Sequence, residues 1–349
     1  METKKDGKEL KFDTKGRGKT VKFATKARMV KVNPKNIAAY EQYIRSCSIK
    51  NKDVVSTTYR TYRSYFNIFL CYIMEYHDNF YILDEDFIET EMVDVMEGFI
   101  AFLQEELGNH GKTINTKISA VSSFYLWATK RRKIKQHPFE NRLERIANTQ
   151  EEKVVSEYFL TREQVSEIEA ELSLCENCAS DYDWIDRVLW HIAFDSACRI
   201  GALEKLTMES LDLEKNSFMK IREKRGKIVS IPFTPETGEI IKKYIEYRKE
   251  LGVDCDAFFY ARYKGQWQAM SKQSIHTRIK KMGYIIGLGD FRPHCIRKTR
   301  LNQVGEFDIN LAKTLANHES LDTTSRFYMK KKDQTETLET IMKLEKQNE

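Results

Sequence analysis

The sequence lacks any apolar run of about 20 residues, the length that a helix needs to cross a lipid bilayer. Its first ten residues, METKKDGKEL, also lack the apolar segment of a secretory signal peptide. These two absences argue against a membrane protein and against a secreted one. We therefore expect a cytoplasmic protein without a membrane partner.

The sequence also lacks the cysteine pattern of a disulfide framework. Its seven cysteines are an odd number scattered over 349 residues, so we expect reduced thiols. Cys175 and Cys178 form a C-x-x-C motif, but no second pair of Cys or His residues follows at the spacing of a zinc finger. A metal or redox role for this pair is the weaker interpretation, and the sequence offers no cluster of carboxylates for a metal. We expect neither a metal nor a cofactor.

Positive charge is present in excess and is unevenly distributed. The net charge is +6, yet residues 1–35 alone contain twelve Lys or Arg residues against four Asp or Glu residues. With few large apolar residues, this composition predicts a flexible basic arm over residues 1–33. A second basic cluster, KRRKIK, occupies residues 130–135. Such clusters favour contact with nucleic acid, although a run of charge is also typical of a solvated face.

Residues 34–145 show the periodicity of helices. In the segment STTYRTYRSYFNIFLCYIMEY, apolar and aromatic residues recur every three or four positions and leave Arg60 and Arg63 on another face. Further helices are predicted over residues 87–107 and 112–133, the second of which ends in the basic cluster. We interpret this region as a domain of four helices.

A polar stretch over residues 146–157 predicts a linker to a second domain, residues 158–332. There Thr161 and Gln164 have the spacing of a capping box at the start of a helix. The segment SFMKIREKRGKIVSIPF predicts two antiparallel strands, the run FFY at residues 258–260 suggests a third, and the sequence beyond it favours helices. The expected fold is mainly α with a small antiparallel β-sheet, in two domains.

One basic segment of the second domain, RPHCIRKTR, places His294 and Arg297 three positions apart just after a proline. Proline suits the first turn of a helix, and positions i and i+3 share a helix face. These two side chains would therefore point together toward an anionic group. Four further residues could each be structural when taken singly: Arg199, Lys224, His318 and Tyr328.

The order of these six residues resembles that of the tyrosine recombinase, or phage integrase, family. The resemblance covers the second domain and rests on an arginine after an apolar helix, a lysine eight residues before the proline of the next strand, and the motifs PHCIR, LANH and TTSRFY. The matching positions in chain order are Arg199, Lys224, His294, Arg297, His318 and Tyr328. The first domain is similar to the family's helical core-binding domain, so the second would be its catalytic domain.

The sequence departs from the family pattern at three points. Ala202 stands three positions after the first arginine, where the family often has an acid, and Glu204 follows two residues later. The partner that orients this arginine is therefore left open. Asn317 replaces the usual glycine before the second histidine, and Tyr328 follows that histidine by ten residues instead of the commoner nine. The longer spacing also occurs in some members from conjugative transposons.

The resemblance implies a covalent reaction with DNA. Tyr328 would attack a phosphodiester and form a 3′-phosphotyrosine, which conserves the energy of the broken bond for rejoining. Arg199 and Arg297 would hold the two non-bridging oxygens, because planar guanidinium groups match that geometry and remain charged.

Three other residues would assist this reaction. His294 would help to deprotonate the tyrosine, Lys224 would protonate the leaving 5′-oxygen, and His318 would hydrogen-bond the phosphate. The candidates for contact with the surrounding DNA are basic residues of both domains: Arg60, Arg63, Lys130, Arg131, Arg132, Lys133, Lys298 and Arg300.

The resemblance also implies partners beyond double-stranded DNA. The tail, residues 333–349, carries Leu338, Ile341, Met342 and Leu344 on one face of a predicted helix. This helix either packs on its own domain or docks in a neighbouring subunit. In the second case, protomers that are monomers in solution would form a tetramer on two synapsed recombination sites in the nucleoid. Accessory DNA-bending proteins are further candidate partners.

The expected function is recombination that integrates, excises or transposes a mobile element, since the basic arm offers an extra segment for contact with DNA. The sequence leaves resolution of chromosome dimers open as another task. Two alternatives are a type IB topoisomerase, which relaxes supercoils without a specific site, and a DNA-binding regulator that has lost catalysis. The complete set of catalytic residue types argues against the regulator.

Overall fold

The computed structural model describes residues 23–50, 58–147, 159–177, 179–223, 226–330 and 338. These residues divide into two compact units, an N-terminal unit within residues 23–147 and a C-terminal unit within residues 159–338. Over the described part of the chain, no helix combines the length and the apolar character needed to cross a membrane. Outside the described residues lie Lys224, Cys178, most of the predicted linker and the predicted tail helix apart from Leu338.

The N-terminal unit consists of α-helices. Their bounds are α1 Lys26–Met29, α2 Pro34–Lys50, α3 Thr58–Tyr76, α4 Glu85–Thr90, α5 Met92–Glu105 and α6 Gly111–Lys130. The aromatic stripe predicted for α3 faces the core, because Phe66, Phe69 and Ile73 have no exposed surface. Its last member, Tyr76, remains 54% exposed. Burial of this stripe against α6 makes the helices one unit.

Two predictions for this unit are wrong. The helix expected over residues 87–107 is two helices, α4 and α5, with the break at Glu91; the Asp84 side chain caps α4, so α4 also begins earlier than predicted. Residues 23–33, expected in a flexible arm, are folded: Phe23 is buried and lies 4.7 Å from the ring of Phe102. Residues 1–22 of the predicted arm lie outside the described residues.

The C-terminal unit combines helices with two small sheets. Its helices are α7 Arg162–Ser173, α8 Trp184–Ser196, α9 Ile200–Leu203, α10 Pro235–Glu250, α11 Lys272–Met282, α12 Pro293–Phe307, α13 Ile309–Leu315 and α14 Leu321–Tyr328. The predicted capping box of α7 is confirmed, since Thr161 and Gln164 exchange side-chain to backbone hydrogen bonds.

The predicted strand pair is confirmed, but its third strand is not where we expected it. The strands are β1 Leu211–Asp212, β2 Ser217–Arg222, β3 Ile228–Pro232, β4 Tyr260–Tyr263 and β5 Gln266–Ala269. β1, β2 and β3 form one antiparallel sheet in that order, so its third strand is β1. Of the run FFY only Tyr260 lies in a strand, and β4 pairs with β5 in a separate sheet. Phe258 and Phe259 are buried in the core instead.

A small apolar cluster stands apart from the main core of the C-terminal unit. Its buried members are Ala197, Leu301, Ala312, Ala316 and Tyr328. They come from the end of α8, from α12, from α13 and from the end of α14. Four segments that are distant in sequence therefore meet at this cluster, and most of the predicted catalytic residues lie around it.

Candidate active site

Arg297 is the buried centre of the candidate site. Pro293 opens α12, and Arg297 follows one turn later with 3% of its surface exposed. Its Nη1 donates to the carbonyl of Ala197, and its Nη2 donates to the carbonyl of Ala316 at 2.7 Å. Burial lowers the pKa of this guanidinium, which nevertheless remains a cation at neutral pH. The two carbonyls hold the fork in one orientation.

His318 lies beside this guanidinium. Its Nε2 is 3.1 Å from Nη2 of Arg297, and its Nδ1 is 3.0 Å from the hydroxyl of the buried Thr324. Burial and the nearby cations, Arg297 foremost, lower the pKa of His318 to about 4, so the ring is neutral at pH 7. A neutral ring that accepts from Arg297 at Nε2 must donate from Nδ1 to Thr324.

The turn before His318 explains one departure from the family pattern. Asn317 has a φ of +52°, in the left-handed region that glycine adopts most readily and that asparagine tolerates better than most residues. Asparagine can therefore replace the usual glycine without changing the backbone path.

Tyr328, the last residue of α14, packs into the middle of this group. It is 8% exposed, and its ring centroid lies 4.8 Å from that of His318 and 5.3 Å from that of His294. The guanidinium carbon of Arg297 lies 5.4 Å from the same ring. The predicted nucleophile is thus surrounded by three of its predicted partners within one chain.

His294 occupies the first turn of α12 and keeps an exposed edge. Partial desolvation by the surrounding protein, together with the charges of Lys298, Arg297 and Arg199, lowers the pKa of His294 to about 4. The imidazole is therefore neutral at pH 7 and can accept a proton. Its place beside the Tyr328 ring suits that role.

Arg199 is the first arginine of the predicted set and precedes α9 as its N-cap. Its side chain is 41% exposed, and its Nη1 donates to Oε2 of Glu223 at 2.6 Å. The N–H of its partner Glu223 donates to the carbonyl of Lys227. Nζ of Lys227 in turn donates to the carbonyl of Asn317 next to His318, so this chain of contacts links Arg199 to the histidine. Its charge also helps to lower the pKa of both His294 and His318. The structure thus brings five of the six predicted catalytic residues together; Lys224 lies outside the described residues.

Two residues of the site were missed by sequence reasoning. Glu223 partners Arg199, whereas Ala202 has no polar side chain and Glu204 accepts instead from the backbone N–H of Lys272. Thr324 orients the ring of His318. The sequence offered two signals for these supporting residues. Thr324 lies one helical turn before the tyrosine, and Glu223 lies next to the hairpin lysine. Both residue types are too common for such a position to be noticed.

The DNA-contact candidates of the N-terminal unit are exposed at one end of it. Arg131, at the C-terminal end of α6, lies 3.3 Å from the hydroxyl of Ser46 near the end of α2, and Lys133 lies over the ring of Trp127. Arg63 pairs with Glu41 at 2.8 Å. Further exposed members are Arg60, Lys130 and Arg132. Contact with DNA stays a prediction for all of them.

Of the two candidates of the C-terminal unit, Lys298 lies one turn after His294 on α12 and its charge helps to lower the pKa of that histidine, whereas Arg300 faces a groove. The ammonium of Lys298 lies 5.9 Å from the ring of Phe159, and the guanidinium of Arg300 lies 5.4 Å from the ring of Phe194. Arg300 lines a groove formed by α7, α12 and α13. A role in DNA contact stays a prediction for both.

Known proteins resemble this chain in sequence and in fold. The tyrosine recombinase XerC of Chlamydia caviae is 29% identical over 233 residues, covering 64% of this chain and 70% of that protein. XerC of Thermodesulfovibrio yellowstonii is 26% identical over 252 residues, covering 68% and 78%.

Two solved structures share the fold. The XerH site-specific recombinase bound to its difH substrate has a TM-score of 0.56 at 17% identity, covering 79% of this chain and 78% of that one. A lambda integrase dimer bound to a COC′ core site has a TM-score of 0.58 at 12% identity, covering 85% and 97%.

The sequence model described as the phage integrase family matches residues 158–335, which is half of the chain. This match spans the whole candidate site, from the arginine before α9 to the tyrosine that ends α14. The chain therefore belongs to the phage integrase family and is a tyrosine-type site-specific DNA recombinase.

Proposed function

We propose that Tyr328 is the nucleophile with which this recombinase cuts and rejoins DNA. The observation that carries the proposal is the position of its ring, 5.4 Å from the buried guanidinium of Arg297 and 4.8 Å from the ring of His318. A phosphate bound by Arg297 would lie next to the phenol. The phenolic oxygen bonds to phosphorus while the bond to the 5′-oxygen breaks, which leaves a 3′-phosphotyrosine and a 5′-hydroxyl.

The proton transfers are assigned to neutral and cationic neighbours. The phenolic proton passes to His294, whose ring centroid lies 5.3 Å from that of Tyr328. The imidazole is neutral at pH 7, and a bound phosphate, being an anion, would raise its pKa from about 4 toward the range that suits a general base. The leaving 5′-oxygen takes a proton from Lys224. His318 donates from Nε2 to the phosphate once the approach of that anion has led the ring to take up a proton. Rejoining reverses each transfer.

Arg199 and Arg297 stabilise the transition state by holding its charged oxygens. Each well-placed donor of this kind contributes about 10²–10³ in rate in comparable sites. Arg297 meets the requirement for a fixed donor, because two backbone carbonyls orient it before DNA arrives. The similar structures, XerH bound to its difH substrate and lambda integrase bound to a core site, support double-stranded DNA as the substrate here.

The biological task in this proposal is integration, excision or transposition of a mobile element. The support is the excess of basic residues in positions 1–35, which would add contacts to phosphates outside the core site. Such contacts position a protein on DNA without selecting a base sequence.

The proposal also includes a tetramer on synapsed DNA. A groove of about 620 Å³ between α7, α12 and α13 is lined by apolar side chains and by charges of both signs, namely Arg162, Arg300, Glu169 and Glu306. Phe307 and Leu311 in this groove are 87% and 57% exposed. Residues 333–349 of a neighbouring copy would occupy it, since that segment has apolar residues at helical spacing that match the exposed apolar side chains of the groove.

One experiment tests the mobile-element role and the proposed tetramer together. A plasmid carrying the DNA that flanks the gene on both sides is incubated with the protein, and we expect the DNA between the flanks to be released as a circle. The Phe307→Glu variant should bind DNA as a single protomer in a gel shift but release no circle. Leu251→Glu, at another exposed apolar position, is the matched control and should recombine normally.

Three results would contradict this proposal, each in a different part. Recombination at some other site, with none at the flanks, would remove the mobile-element role. Relaxation of a supercoiled plasmid that lacks the flanks would favour a topoisomerase. Normal circle release by Phe307→Glu would show that the groove does not take part in forming the tetramer.

A further inference from the structure

Arg199 and Glu223 form an ion pair that the family pattern does not lead one to expect. Nη1 of Arg199 donates to Oε2 of Glu223 at 2.6 Å. The third position after the arginine, where the family often has an acid, holds the buried Ala202. We propose that Glu223 is the positioning residue of Arg199 and takes over the orienting role that Ala202 cannot perform. This inference rests on the proposed role of Arg199 in holding the phosphate.

The exposed fractions of the two side chains indicate that Glu223 orients the guanidinium of Arg199 and does not compete with a DNA phosphate for it. The carboxylate of Glu223 is 5% exposed, whereas the side chain of Arg199 is 41% exposed. The acid therefore lies on the protein side of the guanidinium and engages one nitrogen of its fork. The remaining N–H groups of the fork face outward, where a phosphate would approach.

The β-sheet explains why Glu223 points inward. Side chains alternate along a regular strand, so a regular β2 that buries Phe218 would also bury Lys220 and Arg222. The pairing of β2 with β3 shifts register between Phe218 and Ile221, and Lys220 has a φ of +59°. This bulge reverses the alternation, so that Ile221 and then Glu223 are buried.

The backbone around Glu223 is also held in place. The N–H of Glu223 donates to the carbonyl of Lys227 at 2.7 Å, which closes the base of the hairpin. On the other side of the hairpin, Nζ of Lys227 donates to the carbonyl of Asn317 at 3.2 Å, next to His318. Glu223 therefore lies on a braced segment and can fix the guanidinium of Arg199 without moving itself.

The other nearby acid is engaged elsewhere. Glu204 accepts from the backbone N–H of Lys272 at 3.1 Å and is exposed. Among the residues that the structure describes, the ion pair of Arg199 is with Glu223. Glu204 is therefore a suitable matched control, since it is equally acidic and lies five residues after the arginine.

The test measures single-turnover formation of the covalent protein–DNA adduct. Glu223→Gln keeps the size of the side chain and removes its charge, so cleavage should slow by about 10-fold to 100-fold, as expected for a misplaced catalytic donor. DNA affinity should change little, because Arg199 is one of many phosphate contacts. Glu204→Gln should cleave at the normal rate.

A double-mutant cycle separates positioning from general support of the fold. If Glu223 acts through Arg199, the Arg199→Ala/Glu223→Gln variant cleaves as slowly as Arg199→Ala alone. Should Glu223→Gln melt below the assay temperature, Glu223→Asp takes its place in the same cycle.

Three outcomes would overturn the inference: unchanged cleavage by Glu223→Gln, faster cleavage, or a double variant in which the two losses multiply. Faster cleavage would mean that the carboxylate competes with the phosphate. Absence of any adduct with the unmodified protein would contradict the proposed function instead, so the two failures are distinguishable.

Discussion

At the scale of residues, the site depends on histidines that are neutral before DNA binds. His318 has Arg297 on one ring nitrogen and Thr324 on the other. Protonation would place a third positive charge next to Arg297 and Arg199. The ring is therefore held in one tautomer, and Nε2 must take up a proton before it can donate to a phosphate oxygen.

The pKa of His318 gives the first prediction at this scale. In the folded protein its pKa lies at about 4, below the ordinary value of 6.5. Between these values the unfolded chain binds more protons than the folded one, so His318 lowers the free energy of unfolding as pH falls from about 6.5 to about 4. An NMR titration of the DNA-free protein should show a midpoint near the lower value for this ring.

The His318→Gln variant is the control, because it assigns the resonance and should reduce the loss of stability in that pH window. A midpoint at the ordinary value would contradict the buried, cation-flanked environment of the ring.

The sequence predicted which residues would lie together at the site, but it did not predict the residues that support them. Arg199, His294, Arg297, His318 and Tyr328 were predicted because their order resembles that of the tyrosine recombinase family, and they lie together in the fold. Their supporting residues were not predictable in the same way. Glu223 faces Arg199 only because a bulge reverses the strand, and pattern reasoning cannot place a bulge reliably.

At the scale of elements, the turn between α11 and α12 sets the start of the helix that carries His294 and Arg297. Gly283 ends α11, and a Cβ there would collide with the Cβ of Phe291 and with the carbonyl oxygen of Leu288. Position 283 therefore needs a glycine, because Leu288 and Phe291 approach its backbone too closely for a side chain. This packing places Pro293 at the correct point to open α12.

The Gly283→Ala variant should therefore be destabilised by about 1–3 kcal/mol, the usual cost of overpacking. Gly201→Ala is the matched control, because nothing lies within 4 Å of the added methyl group and alanine favours a helix. Urea unfolding followed by circular dichroism measures both free energies. Equal stability of the two variants would show that the turn is not tightly packed.

Helices were predicted more reliably than their ends. The apolar periodicity of residues 87–107 continues across Glu91, so the sequence shows no break where α4 and α5 meet. The third strand was misplaced because β1 has only two residues and no β pattern of its own. The apolar run FFY is buried in the core, and a short apolar run in a sequence does not distinguish a buried strand from a buried loop.

At the scale of the whole molecule, the residues predicted to contact DNA in the N-terminal unit and the residues proposed to cut it belong to different units. The exposed basic end of the N-terminal unit carries no part of the catalytic cluster, which lies entirely within the C-terminal unit. The family match covers the C-terminal unit, and the relatives extend the sequence similarity to about two thirds of the chain. Everything proposed about recombination depends on covalent capture of DNA by that second unit.

The central claim is that Tyr328 forms the bond to DNA. A nicked suicide substrate, which loses its 5′-hydroxyl strand on cleavage, traps the adduct, and peptide mapping locates it. We predict an adduct at Tyr328, none with Tyr328→Phe, unchanged gel-shift binding by that variant, and a normal adduct with Tyr284→Phe, an exposed tyrosine elsewhere. An adduct of undiminished yield with Tyr328→Phe would contradict the account.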